Sequence, residues 1–250
     1  MRHGLAALAV CAAALWQQAV AAEIKVLGTT ALRPALSELV ADFQRTSGHQ
    51  VAVTYPAVQE IPEKLGRGEA FDAVISRSQM VDALVKSNLI VPASRADVAR
   101  SGIGLGAKTG ATIPSIESVD AFKRVLLGAK SVAYATEGRS GPHFLELLVR
   151  YGISDEVKPK LKPLTSLTGV AAIAAGDAEL GVLPAPAILA ASGVQLAGLL
   201  PADAQIYLEY SAGIVGKSAQ QKETAEFLTY LASPAAGRIL TEKGFDRKPK

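Results

Sequence analysis

Short apolar segments alternate with segments of helical periodicity along most of this chain. The first such unit covers residues 23–43, EIKVLGTTALRPALSELVADF. Apolar residues recur at helical spacing after Leu32, and Pro34 fits only the first turn of that helix because proline lacks a backbone N–H. Further strands are predicted at residues 49–55, 73–76, 98–108, 131–135, 180–183 and 206–215. This alternation predicts an α/β fold with mainly parallel sheets.

Three of the strand–turn–helix units carry hydroxyl or arginine side chains where the strand ends. These side chains are Thr29, Thr30 and Arg33, then Arg77 and Ser78, then Arg139 and Ser140. Ligands of such folds bind at the carboxyl ends of strands, and the free N–H groups of a helix start attract anions. The three turns therefore predict an anion site. The alternative for the first turn is that its threonines only cap the helix.

Residues 1–22 have the pattern of a cleavable secretory signal peptide, with a charge at Arg2, an apolar run and small residues before a cleavage point after Ala21 or Ala22. Cys11 is the only cysteine, so the mature chain has no disulfide, thiolate nucleophile or cysteine metal site. Removing Arg2 from the 26 basic residues leaves 25, against 23 acidic residues. This near balance of charge does not indicate a nucleic-acid partner. No metal or cofactor is expected.

Three segments resemble a known family: residues 23–48, residues 70–90 (AFDAVISRSQMVDALVKSNLI) and residues 227–245 (FLTYLASPAAGRILTEKGF). They are similar to periplasmic solute-binding proteins of the molybdate-binding type. The resemblance covers essentially the whole mature chain. It implies a type II fold of two α/β lobes, with residues 23–104 and 206–250 in the first lobe and 105–205 in the second.

The same resemblance implies a ligand held in the cleft between the lobes and a periplasmic, monomeric protein. The expected partners are a small anionic ligand and an ABC permease in the inner membrane.

Three positions in this chain argue against molybdate, the ligand that the family resemblance implies. Molybdate binders of this type hold the oxyanion with two serines, a tyrosine and backbone N–H groups. The matching positions in this chain are Ala31, Ala57–Val58 and Pro184, so the side-chain donors are absent.

Arginines appear instead, and a guanidinium pairs bidentately with a carboxylate. An organic di- or tricarboxylate is therefore the predicted ligand, rather than molybdate. For each arginine the alternative is a solvated side chain, or one paired with an acid such as Glu60 or Glu137. The full predicted ligand-binding set is Thr29, Thr30, Ala31, Arg33, Ala57, Val58, Arg77, Arg139, Ser140, Gly141 and Ser166.

An enzyme is the alternative to a receptor, because periplasmic aconitate isomerase is similar to the same protein type. A 1,3 proton shift on aconitate needs an acid–base group with a pKa near neutrality. His143 is the first candidate base, with Tyr134 and Glu137 in reserve. Each has an ordinary alternative: a surface histidine, a core tyrosine and a solvated loop carboxylate. The sequence favours the receptor and keeps the isomerase as the second hypothesis.

Overall fold

The computed structural model describes residues 22–247, so the predicted signal peptide lies almost entirely outside the described residues. Within that range the strands are β1 (Glu23–Gly28), β2 (Gln50–Thr54), β3 (Ala73–Arg77), β4 (Ala96–Ser101), β5 (Ile103–Lys108), β6 (Val132–Ala135), β7 (Leu161–Leu164), β8 (Leu180–Pro184), β9 (Val194–Leu199) and β10 (Leu208–Ile214). The helices are α1 (Arg33–Ser47), α2 (Glu60–Gly66), α3 (Ser78–Lys86), α4 (Val119–Gly128), α5 (Ser140–Arg150), α6 (Ser154–Val157), α7 (Ser166–Ala175), α8 (Ala185–Ala190), α9 (Gln221–Leu231) and α10 (Pro234–Glu242).

The strands form two five-stranded sheets. The first sheet has the order β2-β1-β3-β10-β4, and the second has the order β7-β6-β8-β5-β9. Neighbours are parallel around β1 and β6, whereas β10 and β5 run antiparallel to both of their neighbours. The predicted α/β class is thus confirmed, but the expectation of mainly parallel sheets was wrong, because four of the eight pairings among the described strands are antiparallel.

Both sheets are covered by helices on two faces, as alternating side chains of a buried strand require. In β3, Ala73 and Ile75 pack with α1, α9 and α10, while Val74 packs with α2 and α3 on the other face. In the second sheet, Val132 packs with α4, α5 and α6, while Ala133 packs with α7. Each sheet with its helices forms one lobe.

The predicted glycine-interrupted strand over residues 98–108 is two strands in the structure. β4 pairs in the first sheet and β5 pairs in the second, with Gly102 between them. A Cβ at Gly102 would lie 3.0 Å from the amide nitrogen of Gln205, which belongs to the return connection between the lobes. Gln205 in turn bonds the backbone N–H and carbonyl of Ile103, at 2.9 Å each. The chain therefore passes between the lobes at two adjacent places. The exact lobe boundaries at residues 104–105 and 205–206 remain a prediction.

Candidate functional site

A cavity of about 720 Å³ lies between the two lobes. The segments that follow β1 and β2 line it from the first lobe, together with the last residue of β3 and parts of β4 and β10. The turn before α5 and the starts of α7 and α8 line it from the second lobe. Because most of these segments follow the carboxyl ends of strands, the cavity lies where open α/β sheets bind ligands.

The turn after β1 lies on the cavity wall, as Thr29, Thr30 and Ala31 all line it. Thr29 is buried and precedes a short 3-10 turn, yet its side chain makes no capping hydrogen bond. Its backbone N–H donates instead to the carbonyl of Ile75 at 3.0 Å. The helix-cap alternative for Thr29 therefore has no support in this geometry, and its hydroxyl remains available to a ligand.

The positions that match the serine and tyrosine ligands of molybdate binders also line the cavity. Ala57 and Val58 line it from the first lobe, and Pro184 lines it from the second. This agrees with the motif alignment. It also means that these parts of the wall offer no side-chain hydrogen-bond donors.

Arg77 is the one arginine among the described residues that line the cavity. It ends β3 and is half-buried. No acidic side chain of residues 22–247 lies within ion-pair distance of its guanidinium. The alternative that Arg77 is paired with a nearby acid is therefore not what the structure shows. A half-buried guanidinium without a counter-ion is a strong attractor for an anion.

Glu137 also lines the cavity, in the turn between β6 and α5. Its Oε1 accepts a hydrogen bond of 2.7 Å from the backbone N–H of Ser166, which begins α7. A carboxylate at a helix start is stabilised by the free N–H groups and by the helix dipole. Glu137 is exposed, yet this hydrogen bond joins two of the segments that form the second wall.

Ser140 and Ser166 line the cavity, whereas Gly141 does not. Ser140 is only 1% exposed. Gly141 packs behind it so closely that a Cβ would collide with the carbonyl of Ala135. Glycine is therefore needed at this position for packing between β6 and α5.

Four other predicted residues lie outside the cavity lining. Arg33 stacks over the ring of Tyr55, 4.3 Å from its centroid. Arg139 is exposed to solvent. The Nε2 atom of His143 lies 2.7 Å from the carbonyl oxygen of Ala204, in the segment before β10.

Tyr134, the fourth of these residues, packs in the core of the second lobe, with its ring 6.1 Å from that of Phe144. The roles predicted for these four side chains remain predictions.

Several cavity residues were absent from the sequence prediction, among them Ser101 at the end of β4 and Tyr210 in β10. Tyr210 occupies an apolar position in a strand that alternates apolar and polar residues, so its position in the sequence indicates only a core residue. Its pairing with Arg77 across the sheet, which the sequence alone does not reveal, is the signal that distinguishes it.

Residues 22–247 contain no cluster of three or more histidine, cysteine, aspartate or glutamate side chains able to bind a metal. None of the helices formed by the same residues is long and apolar enough to cross a membrane.

Comparison with known proteins gives a family match over nearly the whole described chain. The family model described as "Bacterial extracellular solute-binding protein" matches residues 24–246. The substrate-binding domain assigned to a molybdenum ABC transporter from Clostridium difficile has a TM-score of 0.80 and 17% identity, covering 92% of this chain and 100% of that one. The architecture is that of type II periplasmic binding proteins, as the sequence predicted.

Two curated proteins are similar in sequence. Aconitate isomerase from a Pseudomonas species is 29% identical over 232 residues, which cover 90% of this chain and 88% of the relative. The molybdate-binding protein ModA of Haemophilus influenzae is 22% identical over 238 residues, which cover 92% of each chain. The resemblance to the molybdate-binding type is thus confirmed.

Proposed function

Because this chain belongs to the family of bacterial extracellular solute-binding proteins, we propose that it binds an organic di- or tricarboxylate in the cleft between its lobes. The observation that carries the proposal is the guanidinium of Arg77, which lines the cavity without a carboxylate partner among residues 22–247. A guanidinium matches the planar, two-oxygen geometry of a carboxylate. The hydroxyls of Thr29, Thr30, Ser140 and Ser166 supply further hydrogen-bond donors on the same walls.

The proposal includes export and transport. The signal peptide predicted for residues 1–22 would deliver the protein to the periplasm. There it would act as a monomer and pass its ligand to an ABC permease in the inner membrane. These parts rest on the family and on the leader pattern rather than on the cleft.

The ligand class is tested by thermal unfolding of the purified protein with tricarballylate, citrate and trans-aconitate, and in parallel with molybdate and tungstate. A ligand that binds only the native state stabilises it by about 2.7 kcal/mol at a concentration of 100 times Kd. We expect one or more of the carboxylates to raise the melting temperature and the two metal oxyanions to have little effect. Stabilisation by molybdate with no response to any carboxylate would overturn the proposal.

A second function, isomerisation of aconitate, is favoured by one specific feature of the cleft. Glu137 places a carboxylate in a cavity that otherwise offers donors to anions. A carboxylate there weakens the binding of a polycarboxylate by charge repulsion, so in a receptor Glu137 would serve only to join the two wall segments, whereas a proton-transfer enzyme also needs such a base. The sequence relative named aconitate isomerase supports the same hypothesis. In this proposal Glu137 removes the allylic proton and, as the carboxylic acid, returns it at the other end of the three-carbon unit, while Arg77 stabilises the charge that develops on the substrate in between.

Glu137→Gln tests the isomerase, because a glutamine oxygen still accepts the hydrogen bond from Ser166 while the base is removed. If wild type converts trans-aconitate to cis-aconitate, measured by chromatography, the variant should lose roughly 10²–10⁴-fold in rate with its folding intact. Full turnover by the variant would exclude Glu137 as the base. A wild type that binds aconitate without converting it would leave the receptor function alone.

A further inference from the structure

The floor of the cleft contains a group of three polar side chains, of which the predicted ligand set includes only Arg77. β10 lies between β3 and β4, so its side chains have neighbours on both sides. Tyr210 is the cross-strand partner of Arg77, and Leu208 is the cross-strand partner of Ser101. Residues directly opposite each other, and residues two apart on one strand, share a face of the sheet. Arg77, Tyr210 and Ser101 therefore project from the same face, and all three line the cavity.

Ser101 is buried, at 1% exposure, and its Oγ makes no hydrogen bond of ordinary geometry in the described structure, although it lies close enough to the Tyr210 hydroxyl to interact with it. A buried hydroxyl whose hydrogen bonding is incomplete loses hydration that nothing in the described structure fully replaces. Such a group in a cavity wall is explained if a ligand atom completes its hydrogen bonding. The incompletely bonded hydroxyl of Ser101 therefore supports a ligand at this end of the cavity.

Tyr210 is 2% exposed, and its ring packs edge-on against Phe245 with centroids 5.8 Å apart. Burial raises the pKa of Tyr210 above its ordinary value, although Ser101 and the Arg77 guanidinium act in the opposite direction by favouring the phenolate. The side chain is consequently a neutral phenol near neutral pH. A neutral phenol can donate a hydrogen bond to an anion, whereas a phenolate would repel it.

We propose that Arg77, Ser101 and Tyr210 form a carboxylate subsite at the floor of the cleft. This inference rests on the proposed function. It adds where one carboxylate group of the ligand binds and which side chains donate hydrogen bonds to it. The guanidinium supplies the compensating charge and N–H donors, and the two hydroxyls donate to the remaining lone pairs of the carboxylate oxygens. A buried carboxylate needs both a counter-charge and several hydrogen bonds, and this group supplies both.

The test is calorimetric titration of tricarballylate, a tricarboxylate without a double bond to isomerise, into wild type, Tyr210→Phe and Ser101→Ala. Tyr210→Phe keeps the ring and its contact with Phe245 and removes only the hydroxyl. Each variant should raise Kd by roughly 10-fold or more, as expected for the loss of a hydrogen bond to a charged group. Tyr230→Phe is the matched control, because that hydroxyl donates to Asp42 and Tyr230 lies outside the cavity lining. Its Kd should equal that of wild type.

The outcomes separate this inference from the proposed function. If wild type binds no carboxylate in the thermal-shift series, the proposed function and the subsite fall together. If wild type binds tricarballylate and both variants match it, the subsite alone is refuted. If Ser101→Ala does not fold, Tyr210→Phe decides the question, with its melting temperature as the check on folding.

Discussion

The guanidinium of Arg77 packs against the backbone of Gly138 across the cleft, so it joins the first lobe to the second. A Cβ at Gly138 would lie 2.5 Å from Nη2 of Arg77 and 3.0 Å from Nη1. Gly138 also has a φ of +74°, in the left-handed region where glycine is favoured. The side chain that we assign to the ligand is therefore positioned by the lobe opposite its own.

Gly138→Ala should displace this guanidinium and weaken carboxylate binding by 10-fold or more, in addition to a loss of about 1–2 kcal/mol of stability from the left-handed backbone. Gly68→Ala is the control, because Gly68 has a φ of +77° with nothing within 4 Å of the added Cβ. Both variants should melt at a lower temperature, while only Gly138→Ala should bind more weakly in calorimetry. Equal affinities in the two variants would show that the Arg77–Gly138 contact does not position the guanidinium.

Arg77→Lys should reduce affinity for tricarballylate by 10-fold or more, because lysine retains the charge but not the bidentate fork. Arg139→Lys is its natural comparison, since the sequence predicted both arginines as ligand residues and the structure exposes Arg139 outside the cavity lining. We expect Arg139→Lys to bind within about twofold of wild type, on the principle that an exposed charge contributes little. The reverse ranking in calorimetry would restore Arg139 to the site.

His143→Ala should lower stability by about 1 kcal/mol, through loss of the hydrogen bond to the Ala204 carbonyl. Because the ring lies outside the cavity lining, ligand binding and any turnover of aconitate should be unchanged. Chemical denaturation and the chromatographic assay measure the two effects separately. A rate loss of roughly 10²–10⁴-fold at unchanged affinity would instead support His143 as the base.

Acid should weaken the packing of α1 against α9 through Asp42 and Tyr230. The Tyr230 hydroxyl donates to Asp42 at 2.8 Å, and this bond, followed by that from Arg45, lowers the pKa of Asp42 below its ordinary 3.8. A carboxyl whose pKa is lower in the folded state stabilises the fold above pH 3.8, and this contribution is lost as the pH falls through the folded-state pKa.

Tyr230→Phe removes the largest cause of that shift, so it should melt below wild type at pH 7. The difference should narrow as the pH falls below 4. Thermal unfolding between pH 7 and pH 2.5 measures it, and a difference that is constant over this range would contradict the assignment.

The sequence predicted the fold better than it predicted the site, and particular residues show why. Strand and helix periodicity depends on local spacing, so β1, β3, β6 and β8 were anticipated, as was Pro34 in the first turn of α1. The direction of a side chain at a helix start depends on tertiary packing. Arg33 and Arg139 accordingly occupied the predicted turns while lying outside the cavity lining.

Tyr210 was not predicted as a site residue, although it lines the cavity. An apolar position in a strand is typical of a core residue, and the ring of Tyr210 does pack in the core against Phe245. Its function as a donor depends on the neighbours that antiparallel pairing brings to it from β3 and β4, and those neighbours are distant in sequence.

The placement of β10 has a consequence for how the polypeptide is made. Every strand of the second sheet comes from the continuous stretch between Ile103 and Leu199, whereas the first sheet needs β10 between β3 and β4. As the chain emerges from the ribosome, the second sheet has all its strands while β3 and β4 still present open edges to each other. A nascent chain that ends before Leu208 thus carries all the strands of the second sheet but lacks β10 of the first sheet. The open edges of β3 and β4 are where a chaperone would bind and where premature association would begin.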